Sequence, residues 1–323
     1  GDLRRKFSSF PLRQSQAEEG LGLSNEHNAQ TRGAEQEAPE NAKYTAKITA
    51  LAASRNWDAA VRLFASIPRK NAIIFHAMMS LADKCERFRE GLRLFDELRS
   101  SGCQLNGVSY SSALTLHGRL GNYELARDLW REMPERGVQA TPSCLTGLLN
   151  AAATAGELAA AEAHLQEGIQ RGLQPSRIHY GCLIKACRQK ADPQQAVALL
   201  RGMRERGPQP SIIEYTIALG AVRWAMEAHG SRQAAEQAHE EIMALFVAHG
   251  LRPNRYFLEE RLQFLLGIDL KKLPDSTPSG PLPPAANLEV AREALREARA
   301  SGVRDTRLLR QVEEWLPRPA APG

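Results

Sequence analysis

Few residues in this 323-residue chain have the types and spacing that catalysis at a metal requires. The segment His239-Glu240-Glu241 combines a histidine with carboxylates, which can bind zinc and transfer a proton. A zinc deaminase also needs a CxxC pair, which the chain lacks, and a zinc protease needs a second histidine where Met243 stands. Asp269, Asp275 and Asp305 lie in dissimilar segments and do not form a magnesium-binding cluster. The residues therefore predict no catalytic site, no metal site and no cofactor.

The five cysteines are equally poor candidates for chemistry. A nucleophilic thiol needs a neighbouring base or cation, and no base accompanies Cys182 and Cys187, which fall at core positions of a predicted helix. No CxxC pair indicates a zinc site, and an odd number of cysteines in a long chain disfavours a disulfide scaffold. We predict that these thiols are structural.

Composition favours a helical protein. Hydrophobic residues make up 43% of the chain, aromatic residues only 6%, and alanine is abundant, which disfavours a β-sandwich. The 42 basic and 37 acidic residues give a net charge of +5, which permits attraction to a polyanion without requiring it. No stretch approaches the roughly 18 apolar residues of a membrane span, so a membrane is not among the expected partners.

Several kinds of residue recur at one interval of 31 residues and then every 35 residues. One column of aromatic residues and a leucine runs through Tyr44, Phe75, Tyr110, Leu145, Tyr180 and Tyr215. In the same phase, small residues recur at Ala60, Gly91, Ala126, Ala161 and Ala196, and bulky residues recur at Phe64, Phe95, Trp130, Leu165 and Leu200. Glycine closes the units at Gly102, Gly137, Gly172 and Gly207. Because the columns share one register, the chain is predicted to be an array of repeats.

Each repeat has the pattern of two helices. In the segment YELARDLWREMPERG, residues 123–137, apolar residues follow a helical period up to a closing glycine. A hairpin of about 35 residues cannot bury its apolar stripe alone, so neighbouring hairpins must stack on it. We therefore predict an all-α fold, an α-solenoid superhelix of about six helix-turn-helix units with a concave face.

These repeats resemble the pentatricopeptide repeat family. The segments at 126–139 and 91–106 match the second helix and closing glycine of that family, whereas the Trp, Leu-Gly and Tyr columns of the related tetratricopeptide family are absent. On this resemblance the units lie at 41–71, 72–106, 107–141, 142–176, 177–211 and 212–254. The resemblance implies that the partner is single-stranded RNA and that each unit reads one base with its first helix.

The resemblance also implies which residues read the bases. The pairs are Thr45 with Asn71, His76 with Asn106, Ser111 with Thr141, Thr146 with Ser176, Gly181 with Ser211, and Thr216 with Asn254. Hydroxyl and amide groups can bond a base edge without carrying charge. The first and last pairs match the adenine-type pair of the family, Gly181 has no side chain to read with, and no unit supplies the aspartate associated with uracil or guanine. The alternative for these positions is a solvated groove that reads nothing.

Two further sets of residues complete the implied interface. The residues that would sandwich the bases are Ala42, Ile73, Val108, Ser143, Ile178 and Ile213. Phosphate contacts are expected from among Lys47, Arg119, Arg177, Lys185 and Arg188, and the sequence does not choose between them. Trp224, in an enlarged sixth unit, is expected to serve packing.

The two ends of the chain differ from the array, which we place at 43–267. Residues 1–42 begin with a basic, serine-containing segment and continue without apolar periodicity, which predicts a disordered, targeting-like tail. Residues 255–267 predict a capping helix and residues 268–286 a proline-rich linker. Residues 287–323 predict a helical hairpin, which either folds back on the array or binds a protein partner.

The predicted function is non-catalytic binding of single-stranded RNA by modular repeats. The family resemblance suggests a role in RNA processing, stabilisation or translation in a mitochondrion or plastid, with cytoplasm and nucleus left open. The poor fit of the middle reading pairs motivates a second hypothesis, a helical-repeat scaffold that binds protein, for example a ribosome-associated subunit.

Overall fold

A computed structural model describes residues 39–229, 232–267 and 285–303, together with residues 309, 310, 312, 313 and 316. Within these ranges the chain forms fourteen continuous helices and no strand, so the predicted all-α, repeat-built class is confirmed. The helices are α1 Pro39–Ala53, α2 Trp57–Ala65, α3 Ala72–Lys84, α4 Phe88–Ser100, α5 Gly107–Leu120, α6 Tyr123–Glu135, α7 Pro142–Ala155, α8 Leu158–Gln170, α9 Arg177–Lys190, α10 Pro193–Arg206, α11 Ile212–His229, α12 Arg232–Ala248, α13 Arg255–Leu266 and α14 Ala285–Ala300. None of these helices has the length and apolar content needed to cross a bilayer.

Some predicted segments lie outside the described residues. They include residues 1–38 of the predicted tail and residues 268–284 of the predicted linker. Helix α1 begins at Pro39, which is four residues inside the range predicted to be tail. Of the second helix predicted near the C-terminus, only the five separate positions named above are described.

The described chain forms two compact bodies. The N-terminal body contains residues 39–120 and 124–147, and the C-terminal body contains residues 121–123 and the described residues from 148 onward. We call α1, α3, α5, α7, α9, α11 and α13 the first helices, and α2, α4, α6, α8, α10 and α12 the second helices. In the N-terminal body α1, α3 and α5 pack side by side, and in the C-terminal body α9, α11 and α13 do the same. Each body is therefore a stack of helical hairpins.

The bulky column joins neighbouring repeats in the N-terminal body. In the N-terminal body the ring of Phe64 meets that of Phe75 edge-on at 5.3 Å between centroids, and Phe95 meets Tyr110 at 6.0 Å. In each pair the first residue belongs to a second helix and the other to the first helix that follows it. These rings are buried, so the apolar stripe of one repeat is covered by its neighbour, as the repeat pattern predicts.

The small-residue column allows the helices to approach closely. In the N-terminal body Gly91 of α4 lies where an added Cβ would stand 2.7 Å from Cδ1 of Leu116 and 3.0 Å from Cβ of Ala82. Such distances are shorter than ordinary contacts, so a larger residue here would force Leu116 and the packing between α3 and α5 to shift. The alanines of the column, Ala60, Ala126, Ala161 and Ala196, are fully buried.

The C-terminal helix α14 packs against α13. Its buried face consists of Leu288, Ala291, Ala294, Leu295 and Ala298. The Asn287 side chain donates a hydrogen bond to the carbonyl of Leu265 at 3.0 Å, and Arg261 lies 3.6 Å from Glu297. The sequence left open whether this region folds back on the array, and the structure shows that α14 does.

The turns inside the repeats have a left-handed residue at one fixed position. The φ angle there is +69° at Gly121 and +77° at Gly156, but non-glycine residues hold the same conformation at Arg55, Glu86 and Ala191, with φ between +52° and +59°. This left-handed conformation costs a residue with a Cβ roughly 1–2 kcal/mol of conformational free energy. Three of the turns are therefore strained at positions where glycine would fit.

We expect Glu86→Gly to stabilise the protein by about 0.5–1 kcal/mol. The substitution removes the left-handed strain of an exposed residue, and the greater freedom of glycine in the unfolded chain offsets part of the gain. Urea unfolding followed by circular dichroism measures the change. Gly156→Ala is the matched control: its added Cβ would meet only ordinary contacts at 3.7 Å, so it should destabilise through φ alone. Destabilisation by Glu86→Gly would contradict the prediction.

Candidate nucleic-acid interface

Large apolar side chains are exposed at one fixed position of the first helices. Ile73, Ile178 and Ile213 are 44%, 63% and 62% exposed, and each stands two residues after the residue that caps its helix. These are three of the predicted base-sandwiching positions. At the other three, Val108 is half-buried, and Ala42 and Ser143 are exposed but small.

Helix α13 carries a fourth such residue. Asn254 caps α13, Tyr256 follows it by two residues, and the tyrosine is 67% exposed. Helix α13 packs beside α11 as α11 packs beside α9, so α13 continues the row of first helices in the C-terminal body. The sequence interpretation missed Tyr256 because it assigned this segment to a cap. The signal was present in the sequence, since Asn254 stands two residues before Tyr256 as Asn71 does before Ile73.

The second residue of every predicted reading pair caps the first helix that follows. The Asn71 Oδ1 atom accepts a hydrogen bond from the backbone N–H of Ile74 at 3.0 Å, and Asn254 Oδ1 accepts from that of Phe257 at 2.9 Å. The hydroxyl or amide oxygens of Asn106, Thr141, Ser176 and Ser211 accept backbone N–H bonds in the same turn. Capping by itself favours these residue types.

The caps leave different groups for a ligand. An asparagine cap uses only its carbonyl oxygen, so the amide N–H groups of Asn71 and Asn254 can still donate. The Ser211 hydroxyl, by contrast, also donates to Glu214 at 2.7 Å, which occupies its proton. Asparagine caps can therefore bind a base while capping the helix, and Ser211 has less left to offer.

The first residues of the reading pairs mostly donate within their own helix. The hydroxyls of Thr45, Thr146 and Thr216 each donate to the backbone carbonyl four residues earlier, at 3.0, 3.0 and 2.7 Å. Ser111 donates to the carbonyl of Val108 at 3.1 Å. Because the proton is used, the oxygen lone pairs remain to accept a hydrogen bond.

Two reading positions depart from this pattern. His76 Nε2 lies 2.9 Å from the hydroxyl of Ser109 on α5, and burial lowers the pKa of His76 to about 4, so the ring is neutral near pH 7. Gly181 is buried, and Oε1 of Glu214 lies 3.7 Å from where its Cβ would stand. Repeats 2 and 5 thus lack a short polar side chain available to a base at this position.

The basic candidates differ in what they already bind. Arg119 forms an ion pair with Asp83 at 2.9 Å. The Nζ atom of Lys185 donates to Oδ1 of Asn150 at 2.7 Å and to the hydroxyl of Thr154 at 2.9 Å. Lys47 and Arg177 are exposed, and the guanidinium of Arg188 lies over the ring of Trp224.

The described residues offer no cluster for a metal ion, and two of the buried cysteines are poor nucleophiles. No group of three or more His, Cys, Asp or Glu side chains in this part of the chain could hold a metal ion. Burial raises the pKa of Cys182 to about 11 and raises that of Cys187 as well, so both thiols are protonated near pH 7. A protonated, buried thiol is a poor nucleophile.

Family models match the repeated part of the chain. A model described as PPR repeat matches residues 73–103 and 108–138. A model described as pentatricopeptide repeat domain matches residues 128–190 and, overlapping them, 163–223. No curated protein sequence matches the chain significantly.

Solved structures with a similar fold belong to pentatricopeptide repeat proteins. The protein PPR10 from maize superposes with a TM-score of 0.50 at 21% identity, over 82% of this chain and 40% of that one. PPR10 in complex with an 18-nt psaJ RNA element gives a TM-score of 0.53 at 21% identity, over 83% and 40%. The chain thus spans about 40% of the length of PPR10, and the likeness shows the fold alone.

A third match is weaker. The PPR domain of Arabidopsis thaliana protein-only RNase P 1, in complex with tRNA, superposes with a TM-score of 0.42 at 20% identity, over 53% of this chain and 86% of that one. This likeness is too low to carry an argument about function.

Acidification should destabilise the fold partly through His76. The pKa of about 4 in the folded chain compares with about 6.5 for a free histidine, so the unfolded chain binds the proton first as the pH falls. The contribution of the neutral ring to the free energy of unfolding is fully present above about pH 6.5 and is lost as the pH falls towards 4. The total loss is about 3 kcal/mol.

We therefore expect His76→Gln, which can still bond the Ser109 hydroxyl, to lose less stability than the wild type between about pH 7 and pH 4.5. Urea midpoints at the two pH values measure the difference. His239, stacked on Phe264 with its pKa lowered by burial to about 4, should account for much of the fall that remains. Equal losses in both proteins would show that His76 is not protonated on unfolding in this range.

Proposed function

The chain is a member of the pentatricopeptide repeat family, and from this premise we propose that it binds single-stranded RNA along its first helices. The observation that carries the proposal is the set of exposed apolar side chains in one register, Ile73, Ile178, Ile213 and Tyr256. Single exposed apolar residues are common, but recurrence at one helical position points to a periodic apolar partner. Unpaired bases are such a partner, because each has a flat face on which apolar and aromatic side chains stack.

The polar groups beside these residues suit adenine at two places. In repeats 1 and 6, a threonine oxygen can accept a hydrogen bond and an asparagine amide can donate one, as described for Thr45 with Asn71 and Thr216 with Asn254. Adenine presents an amino donor beside a ring-nitrogen acceptor, which is the complementary arrangement. We infer that repeats 1 and 6 prefer adenine.

The middle of the array is inferred to be less selective. In repeat 2 the imidazole of His76 bonds Ser109, and in repeat 5 Gly181 has no side chain to offer. These repeats can sandwich a base between apolar residues, but they have fewer groups with which to distinguish one base from another. Sequence preference is therefore expected to come mainly from the first and last repeats.

The proposed activity is binding itself. By occupying an RNA segment, the protein would protect it, remodel it or recruit a partner, without catalysing a reaction, in RNA processing, stabilisation or translation. A similar structure, that of PPR10, contains an 18-nt RNA element, which supports RNA as the ligand class. Placement in a mitochondrion or plastid is part of the proposal and rests on the family resemblance alone.

A selection experiment tests base reading. The purified full chain is incubated with a random single-stranded RNA pool, and retained RNA is sequenced for the wild type and for Thr216→Asn. We expect an enriched motif whose preference changes at one position in the variant, because the new amide adds a donor where only an acceptor was available. Ser100→Asn, the same hydroxyl-to-amide change at an exposed position of second helix α4, should leave the motif unchanged.

A different pattern of RNA retention would contradict base reading. Retention without a motif, lost steeply as salt rises and unchanged in Thr216→Asn, would mean electrostatic attraction only. In that case the protein-binding scaffold becomes the better hypothesis.

Tyr256 provides a second test of the proposal. We expect Tyr256→Ala to weaken binding of the selected RNA by about tenfold or more, because stacking is worth roughly 1–3 kcal/mol per base, whereas Tyr256→Phe keeps the ring and should bind nearly as well. Fluorescence anisotropy of labelled RNA gives the affinities. Val247→Ala removes an equally exposed apolar side chain from second helix α12 and should have no effect. Unchanged affinity in Tyr256→Ala would exclude α13 from the interface.

A further inference from the structure

We propose that Arg188, held on the ring of Trp224, binds a phosphate of the RNA strand. The sequence offered five basic candidates for phosphate contacts and no basis for choosing between them. The packing around α9 and α11 in the C-terminal body supplies that basis. This inference rests on the proposed RNA binding and names one side chain that contributes to it.

The side chain of Arg188 extends from α9 over the neighbouring first helix, α11. It stands in the last turn of α9, and its guanidinium carbon is 5.7 Å from the centroid of the Trp224 ring on α11. Trp224 is 36% exposed, so its prediction as a packing residue is only partly right. A cation over an indole face is attracted by the ring, which holds the arginine in one orientation.

Gly220 makes room for this arrangement. An added Cβ at Gly220 would lie 3.1 Å from Cδ, 3.2 Å from Nε and 3.3 Å from Cζ of Arg188. These contacts are tighter than most that a Cβ makes, so a larger residue at position 220 would push the arginine side chain aside by at least a few tenths of an ångström. Glycine is less favourable than alanine in a helix interior, and here its lack of a side chain leaves room for Arg188.

The pair lies on the same side of α11 as an exposed apolar residue of the proposed interface. Ile213, Gly220 and Trp224 are separated by seven and four residues, a spacing that places them on one stripe of an α-helix. Arg188 therefore lies on the face of α11 that carries Ile213, about 16 Å further along the helix axis.

Arg188 also differs from two other arginines in having no carboxylate partner. Arg119 is paired with Asp83, and Arg223, on α11, is paired with Glu227 and Glu260 at 2.8 and 3.2 Å. Within the part of the chain that the structure describes, Arg188 forms no ion pair. The planar guanidinium carries N–H groups of which two can bond a phosphate together.

The test measures binding of labelled oligoadenylate as a function of salt. The plot of log K against log salt concentration has a negative slope. Loss of one phosphate contact should make this slope shallower by about 0.7 for a single strand. We expect Arg188→Ala to show this smaller slope, with an affinity about fivefold or more lower at low salt. Arg131→Ala, which removes an exposed arginine from second helix α6, should leave slope and affinity unchanged.

Gly220→Ala separates binding from folding. The substitution keeps every charge and favours the helix, so the protein should be at least as stable, yet the small shift of Arg188 should weaken binding, by less than Arg188→Ala does. Urea unfolding of the variant verifies its stability.

Three outcomes would overturn the inference. If the wild type binds but Arg188→Ala and Gly220→Ala keep both slope and affinity, Arg188 does not contact phosphate, and the proposed function stands. If affinity falls without a change in slope, Arg188 has a positioning role only. If the wild type fails to bind both oligoadenylate and the selected RNA, the proposed function fails, and this inference fails with it.

Discussion

Contact between consecutive repeats is the constraint on which the rest of this structure depends. A bulky residue of a second helix, such as Phe64 or Phe95, packs against the aromatic ring of the next first helix. In an isolated hairpin both rings would remain exposed to water. The small residues of the column that includes Gly91 let the helices come close enough for this contact. Within each body, the first helices are thereby placed side by side.

The ends of the first helices combine two roles in one residue. An asparagine at position 71 or 254 satisfies a backbone N–H at the helix start and still presents an amide N–H outward. Capping explains why asparagine, serine and threonine occur there, and it would accept aspartate equally well. The absence of aspartate from all six positions is therefore not required by the fold. It is a property of the surface that the helix ends present to a ligand.

The net charge of +5 says little about where a polyanion would bind, since its effect depends on which cations are already neutralised. Arg119 and Arg223 each face carboxylates, whereas the guanidinium of Arg188 rests on an aromatic ring. A surface ion pair is worth little to stability, but it removes an arginine from competition for phosphate. Local pairing, rather than total charge, thus distinguishes the basic side chains.

The sequence by itself determined the helical class, the 35-residue register and the buried columns. This was possible because aromatic and small residues, such as Phe75, Tyr110 and Ala126, recur at the buried positions. It also located the exposed positions at Ile178 and Ile213. Only tertiary structure decided that His76 bonds Ser109, that Arg188 lies over Trp224, and that α13 continues the row of first helices. Those features depend on contacts between residues about 35 positions apart, and a one-dimensional pattern does not specify which way a side chain turns.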